Sequence, residues 1–292
     1  MREATKAKLF LLAATGLLLS VLTVFFGTPF LRALRQTYGP TVYWSLGIIL
    51  SAVAFPVWFF VGSIWIVVGA YHEIEKLGKS WWIAGLLSVL LSGGFGWLSA
   101  TYSLRANGIE SREQVEALIG EMTASLEAVI PNVKIKAEDV FNQMPSFVVM
   151  TLMLALANAV LFDRKVCNWL ALPLPEASGR EANKLLELRV PDFFIWIALM
   201  ALLFSTFSFN SKALGIVALN VVNVSAVLYF FQGLAVLETY LRAIKAGFLM
   251  RFVTYFILVG QFFILVSILG LIDFWAGFRG RIQKLNSQIG DR

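Results

Sequence analysis

Long uncharged stretches dominate the pattern of hydrophobic and polar positions along this chain. A helix needs about 20 apolar residues to cross the ~30 Å hydrocarbon layer of a membrane. Seven stretches run for 19 residues or more without an Asp, Glu, Lys or Arg: Leu9–Leu31, Gln36–Tyr71, Ser80–Leu104, Val140–Phe162, Phe193–Ser211, Ala213–Leu237 and Phe252–Ile272. The pattern predicts an all-α fold, a polytopic bundle of about seven transmembrane helices.

The second stretch, Gln36–Tyr71, is longer than one crossing requires, and Pro56 lies in its middle. Neighbouring helices can satisfy the backbone groups that a proline frees, so one tilted, kinked helix is the simpler interpretation. A hairpin of two shorter helices is the alternative, and it would reverse the orientation of everything before it. The Lys and Arg counts on the two sides of the bundle differ too little to fix the orientation.

The N-terminus has the basic and then apolar character of a secretory signal. Its apolar run, Leu9–Phe26, is long for a signal peptide, and no small-x-small cleavage motif follows it. We therefore predict an uncleaved first span.

Small residues cluster in the third stretch. They let two membrane helices approach closely, and close packing is favoured here over a flexible break. The predicted packing face consists of Gly93, Gly94 and Gly96.

The longest polar segment, residues 105–139, carries the pattern of an amphipathic helix. From Ser111 to Ile130 the apolar residues recur at helical spacing, and Ser111 with Gln114 predicts a capping box. The polar face is acidic, which argues against attraction to anionic lipid. The apolar stripe is therefore predicted to pack on the bundle or on another copy of the chain, through Leu118, Met122 and Leu126.

These segments predict three regions within one integral membrane domain. Residues 1–104 hold the N-terminal transmembrane helices, residues 105–139 form the amphipathic insertion, and residues 140–292 hold the C-terminal transmembrane helices.

Composition supports a membrane protein and limits its partners. The chain is 59% hydrophobic and 14% charged, against about 25% charged residues in ordinary soluble domains. Its net charge of +6 is typical of basic residues that flank membrane spans and attract lipid headgroups, so we expect no nucleic acid as a partner. The single cysteine, Cys167, cannot form an intrachain disulfide.

No pattern of catalytic, metal-binding or nucleotide-binding residues stands out. His72 is the only histidine, and a lone histidine cannot assemble a zinc-protease site. The chain lacks a phosphate-binding glycine loop and a serine-hydrolase elbow, and the seven stretches carry no charge of the kind that proton pumps use. We expect no enzyme activity, no metal and no cofactor.

Polar side chains within the predicted spans are the candidate binding residues, because each must find a partner at membrane depth. Spans six and seven are joined by a short segment, so Gln232 and Gln261 are expected within about one helical turn in depth. A hydrogen bond between the two amides is predicted, either as a packing contact between helices or beside a ligand to which Asn223 also contributes.

Two charged residues at the end of span seven are predicted to be structural. Asp273 and Arg279 are six residues apart, too far for an i, i+4 pair. We expect Asp273 to pair with a base from a neighbouring loop, such as Arg189 or Arg242.

Three strings in the C-terminal half resemble the DUF2232 family, which includes the YybS-like predicted membrane proteins of bacteria. They are Leu172-Pro-Leu-Pro175 with Leu188-Arg-Val-Pro-Asp192, then Phe230-Phe-Gln-Gly-Leu-Ala235, and then Leu269-Gly-Leu-Ile-Asp273 with Phe278-Arg279. The resemblance covers about Phe147–Arg281. It implies a bacterial protein with a fold similar to the substrate-binding S components of energy-coupling-factor transporters. The first span lacks the Ala-Arg-Asn-type string by which such components couple to their energising module.

Two functional hypotheses follow. The first is a binding or transport subunit for a small apolar molecule or a lipid, in the bacterial cytoplasmic membrane. The second is a non-catalytic scaffold that forms homo-oligomers or organises other membrane proteins.

Overall fold

The computed structural model describes residues 15–16, 27–53, 57–129, 135–172, 188–207 and 211–282, which contain helices and no strands. We number the helices α1 to α9 in chain order. They are α1 Thr28–Val53, α2 Trp58–Lys76, α3 Trp81–Ala106, α4 Arg112–Val129, α5 Ala137–Trp169, α6 Phe194–Thr206, α7 Lys212–Ala243, α8 Phe248–Gln261 and α9 Phe263–Ala276. The chain forms two compact units, Met1–Glu181 with α1 to α5 and Ala182–Arg292 with α6 to α9. The helix α5, which the sequence grouped with the C-terminal region, belongs to the first unit.

The apolar stretch Gln36–Tyr71 forms a hairpin rather than one kinked helix. In the first unit α1 and α2 pack against each other in antiparallel orientation: the Tyr43 hydroxyl donates to the Trp65 carbonyl oxygen at 2.6 Å, and Trp65 Nε1 donates to the Tyr43 carbonyl oxygen at 3.0 Å. A Cβ on Gly47 would overlap the Trp65 indole, so the helices approach closely there. The simpler interpretation was wrong because hydropathy does not distinguish one long apolar helix from two that turn back on each other.

A further irregularity divides α1 at Gly39. This glycine has φ 83° and ψ 177° and precedes Pro40, a backbone conformation that residues with a Cβ rarely adopt. The segment before it carries most of the buried residues of α1, including two arginines.

The helices α3 and α5 complete the first unit. Ser92 in α3 donates to the carbonyl oxygen of Ser63 in α2, and Trp58 Nε1 donates to Ser103 Oγ at 3.2 Å. The start of α5 lies against α4, whose Arg112 donates to Asn142 Oδ1 at 3.1 Å. The predicted capping box of α4 is confirmed: Gln114 N donates to Ser111 Oγ at 3.3 Å, and Ser111 N donates to Gln114 Oε1 at 3.1 Å.

The second unit is built on close contact between α7 and α9. A Cβ on Gly233 would overlap the carbonyl oxygen of Val266, and one on Gly270 would overlap that of Tyr229. The two backbones therefore touch, in antiparallel register. The helix α6 and the segment before it pack on α7 through a core of Val190, Ile195, Ala198 and Tyr229.

The predicted seventh span, Phe252–Ile272, is not one helix. It is divided between α8 and α9, whose axes are inclined at 101°. Backbone pairing continues through the bend, because Phe262 N donates to the Leu258 carbonyl oxygen at 3.1 Å and Val266 N donates to the Phe262 carbonyl oxygen at 3.0 Å.

Three described helices, α3, α5 and α7, are long and apolar enough to cross a membrane, or four if α8 and α9 count as one bent span. The 13 residues of α6 extend over only about 20 Å. Most of the predicted first span, Leu9–Leu31, lies outside the described residues. Its last four residues, 28–31, begin α1.

Candidate functional site

A buried cluster of charged residues joins three helices of the first unit. Arg32 in α1 is fully buried, and its Nε donates to Oδ2 of Asp163 in α5 at 2.9 Å. Arg32 Nη2 lies 3.8 Å from Oε2 of Glu75 in α2. One turn along α1, Arg35 Nε donates to Glu73 Oε1 at 2.9 Å. The guanidinium groups therefore tie α1 to both of its neighbours.

Two more side chains complete the cluster. Gln36 Nε2 donates to the same Asp163 oxygen at 3.2 Å. The Arg32 guanidinium lies over the ring of Tyr71, 5.1 Å from its centroid, a favourable cation–π contact.

The sequence did not reveal this cluster, because its charged residues fall just outside the uncharged stretches and far apart along the chain. Arg32 and Arg35 are three residues apart, which places both on one face of a helix. That spacing was the available signal, but their carboxylate partners depend on the tertiary fold.

His72 follows the apolar part of α2 beside this cluster. Burial lowers the pKa of His72 to about 4, and the positive charges of Arg32, Arg35 and Lys76 act in the same direction, opposed by Glu73. The imidazole is therefore neutral at pH 7.

Next to the charged cluster, the end of α5 and the start of α1 enclose an apolar groove. It has a volume of about 500 Å³ and is lined by Pro29, Phe30, Asn158, Phe162, Lys165, Val166 and Trp169. The rings of Phe30 and Trp169 meet edge to face, with centroids 6.2 Å apart. This lining suits an apolar group.

The polar part of the groove is positively charged. Lys165 Nζ lies over the ring of Phe162, 4.9 Å from its centroid, and the neighbouring Arg164 is also exposed. Both residues lie near the end of a helix that could cross a membrane, together with Trp169, which is 70% exposed. Lysine, arginine and tryptophan are enriched at this level, where lipid headgroups begin.

In the second unit, Gln232 is buried and bonded to backbone groups. Its Oε1 accepts from Val190 N at 2.9 Å, and its Nε2 donates to the Gly270 carbonyl oxygen at 2.9 Å. The amide connects α7, α9 and the segment before α6.

The predicted Gln232–Gln261 hydrogen bond is wrong. Gln261 is exposed at the end of α8, because the break at Phe262 turns this residue away from the position that a straight span would give it. Asn223 is partly buried on α7, nine residues before Gln232. The three predicted ligand-binding residues are not brought together.

Asp273 and Arg279 pair with each other. Arg279 Nε donates to Asp273 Oδ2 at 3.0 Å, and Arg279 Nη1 donates to the Leu188 carbonyl oxygen at 3.0 Å. The predicted pairing of Asp273 with Arg189 or Arg242 is wrong. Gly277, in the left-handed conformation with φ 56°, ends α9 and turns the chain back, so a separation of six residues is bridged.

Glu238, near the end of α7, was missed as a polar centre. It is 7% exposed. Its Oε1 accepts from Arg242 Nε at 2.7 Å and from Arg251 Nη1 at 3.0 Å, and its Oε2 accepts from the Tyr255 hydroxyl at 2.7 Å. One carboxylate thus holds α8 against α7.

The predicted packing faces are divided between buried and exposed positions. On α4 it is Ile119 that is buried, whereas Leu118 and Met122 are 39% and 72% exposed. The Leu126 side chain lies outside the described residues.

On α3, a Cβ on Gly96 would lie 2.6 Å from Ser63 Oγ, so this glycine permits close contact with α2. A Cβ on Gly93 would make ordinary contact with Leu152, and one on Gly94 would meet open space.

Among the described residues, no group of three or more His, Cys, Asp or Glu side chains could hold a metal ion. Cys167 is buried and not in a disulfide. The described geometry therefore offers an apolar groove beside a charged cluster.

The comparison with known families decides the classification. The model of the predicted membrane protein family DUF2232 matches residues 9–274. The chain belongs to this family. The match is wider than the region of resemblance in the sequence, since it includes the N-terminal helices that agreed with DUF2232 only in hydropathy. Searches of the curated proteins and of the solved structures give no match.

Proposed function

We propose that this DUF2232 protein binds a lipid or another elongated apolar molecule in the groove of its first unit. The observation that carries the proposal is the apolar groove of about 500 Å³ whose cation, Lys165, lies at the headgroup end of a candidate span. The groove replaces the site first expected around Gln232 and Gln261.

The chemistry of the groove favours an anionic lipid. An acyl chain gains stability by contact with Phe30 and Trp169, because apolar groups pack on aromatic rings. Lys165 then lies where a phosphate would be, and a basic side chain near the membrane surface attracts anionic headgroups by about 1 kcal/mol. The role is binding, as a carrier or as a transport subunit, rather than catalysis.

Native mass spectrometry of the protein released from lipid nanodiscs tests this proposal. We expect one retained lipid per chain, lost or weakened in Trp169→Ala and shifted towards uncharged lipids in Lys165→Gln. Trp82→Ala and Lys136→Gln are matched controls, since Trp82 is the second residue of α3 and Lys136 precedes α5, and neither residue lines the groove. Equal lipid retention in all four variants would exclude the groove as the site.

We also propose residence in the bacterial cytoplasmic membrane, with about seven crossings and a fold similar to transporter S components. Family membership and the long apolar helices α3, α5 and α7 support the membrane part of this proposal. Reporter fusions after Ala106, Trp169 and Ala243 test the number of crossings. Seven crossings include α6 between α5 and α7, so we expect the reporters after Trp169 and Ala243 on one side of the membrane and the reporter after Ala106 on the other. Uniform cytoplasmic signals would contradict the crossings, and an Ala243 reporter on the same side as the Ala106 reporter would show that α6 does not cross.

A scaffold that forms homo-oligomers or contacts other membrane proteins is the second candidate. It is favoured by the exposure of Leu118 and Met122 on α4. Replacing Leu118, Met122 and Leu126 by Ser should dissociate such an assembly, measured by light scattering in mild detergent. Leu77→Ser, at a residue that is 75% exposed outside α4, is the control. A wild-type protein that is monomeric at all concentrations would exclude the homo-oligomer.

A further inference from the structure

The helix α8 presents an exposed ladder of aromatic rings. Phe248, Phe252 and Phe256 are 84%, 58% and 72% exposed. Neighbouring rings stack, with centroids 6.4 Å and 6.3 Å apart. The three residues recur at i, i+4 and i+8, so they form one stripe along the helix.

The residues paired between α7 and α9 show that α8 does not continue along the axis of α9. Gly233 lies against Val266 and Gly270 against Tyr229, so a straight continuation of α9 would place Tyr255 beside Ile244. Instead the Tyr255 hydroxyl donates to Glu238 at 2.7 Å, about 9 Å nearer the middle of α7.

The position of Arg251 also shows that α8 does not continue along the axis of α9. A straight continuation would place it beyond the end of α7, yet Arg251 Nη1 donates to Glu238 at 3.0 Å. Both residues therefore reach one carboxylate because α8 runs across the end of α7, in agreement with its angle of 101° to α9.

The chemistry of α8 fits a membrane surface. Its 14 residues extend over about 21 Å, as do the 14 residues of α9, so direction rather than length distinguishes the two helices. It contains no acidic residue, and the exposed bases Arg242 and Lys245 precede it. A helix with aromatic residues on one face and basic residues beside it binds at an anionic lipid interface.

We propose that α8 lies in the plane of the membrane, with the ladder of Phe248, Phe252 and Phe256 inserted at the boundary between headgroups and acyl chains of an anionic leaflet. Glu238 positions the helix by accepting hydrogen bonds from Arg251 and Tyr255.

Spin labels test the orientation of α8 directly. Cysteines are introduced singly as Phe248→Cys, Phe252→Cys and Phe256→Cys, in a Cys167→Ala background and in nanodiscs that contain anionic lipid. Collision with oxygen and with a water-soluble nickel complex gives the depth of each label. We expect the three labels at one shallow depth. A depth that increases by about 6 Å per step, as four residues of a crossing helix require, would overturn the proposal.

Matched labels on α9 show that the method resolves depth. Ile264, Ile268 and Ile272 have the same spacing and are 71%, 44% and 43% exposed, and their labels should differ progressively in depth. Free access of the nickel complex to all three α8 labels would show a helix in water and overturn the proposal. Dipolar broadening between copies would show a protein contact instead, with the same consequence.

The lipid charge is tested separately. Anionic lipid, added to neutral nanodiscs, should move the label of the Phe252→Cys variant deeper into the membrane. In a variant that also carries Lys245→Gln, this movement should be smaller. An unchanged depth with and without anionic lipid would overturn the choice of an anionic surface.

Discussion

Replacing Asp163 by alanine should strongly destabilise the first unit. Arg32 and Asp163 are both 0% exposed, with Arg32 Nε 2.9 Å from Asp163 Oδ2. Removing the carboxylate leaves the guanidinium buried without its 2.9 Å partner, while Glu75 lies 3.8 Å from Arg32 Nη2. Breaking a buried pair by removing one partner costs about 3–5 kcal/mol, and we expect this loss in the free energy of unfolding.

The double variant Arg32→Met/Asp163→Leu separates charge from shape. Apolar residues of similar volume can replace a buried ion pair at little cost, so the double variant should recover most of the stability that Asp163→Ala loses. The assay is unfolding in mixed micelles by titration with sodium dodecyl sulfate, followed by tryptophan fluorescence. Arg189→Ala, which removes an exposed pair with Asp192, is the control and should have no measurable effect.

Two results would refute this reasoning. A loss below about 1 kcal/mol in Asp163→Ala would mean that the guanidinium is not desolvated as its burial requires. A double variant less stable than Asp163→Ala would mean that packing, not charge, decides the stability at this position.

Three further predictions concern single residues. Gln232→Leu should lower the free energy of unfolding by about 1–3 kcal/mol because Val190 N and the Gly270 carbonyl lose a buried partner. Gln261→Leu, at an exposed residue, should not change the unfolding midpoint. A loss of stability in both variants would contradict the separation of the two amides. Gly270→Ala should lower the melting temperature sharply because a Cβ would overlap the Tyr229 carbonyl, whereas Gly94→Ala, where a Cβ would meet open space, should not. Equal melting temperatures of the two variants would contradict the close contact of α7 and α9. The pKa of His72 is lowered to about 4 from 6.5, so its neutral form stabilises the fold above pH 6.5 and this contribution is lost as the pH falls towards 4. In His72→Gln the decrease in melting temperature between pH 7 and pH 5 should therefore be smaller than in the wild type. An equal decrease in both proteins would contradict the lowered pKa.

Much of the helical organisation could be predicted from sequence because the length of an apolar run and the spacing of polar residues are local properties. The amphipathic helix after residue 105 appears as α4, and its capping box needs only Ser111 and Gln114, three residues apart. Family membership was also accessible, from short strings such as the one around Gln232.

The changes of direction were not predictable in this way. Hydropathy is the same for a straight apolar helix, for two helices that pack back on each other as α1 and α2 do, and for one that bends at Phe262. These features depend on contacts between distant residues, such as the approach of Gly47 to Trp65 and the binding of α8 by Glu238.

The candidate site depends on the same tertiary contacts. Pro29 and Phe30 are more than 120 residues from the α5 side chains that form the other wall of the groove. The charged residues Arg32 and Asp163 lie just outside the uncharged stretches. The sequence alone therefore does not distinguish them from basic and acidic residues that flank membrane spans. Only the packing of α1 on α5 brings the groove and the charged cluster together.

A density map of the protein in lipid nanodiscs tests the central claim most directly. We predict an elongated, acyl-chain-shaped density between Phe30 and Trp169, with its polar end within hydrogen-bonding distance of Lys165. A groove filled by the protein's own side chains, or one that stays empty while lipids around α3 are resolved, would contradict the proposed binding function.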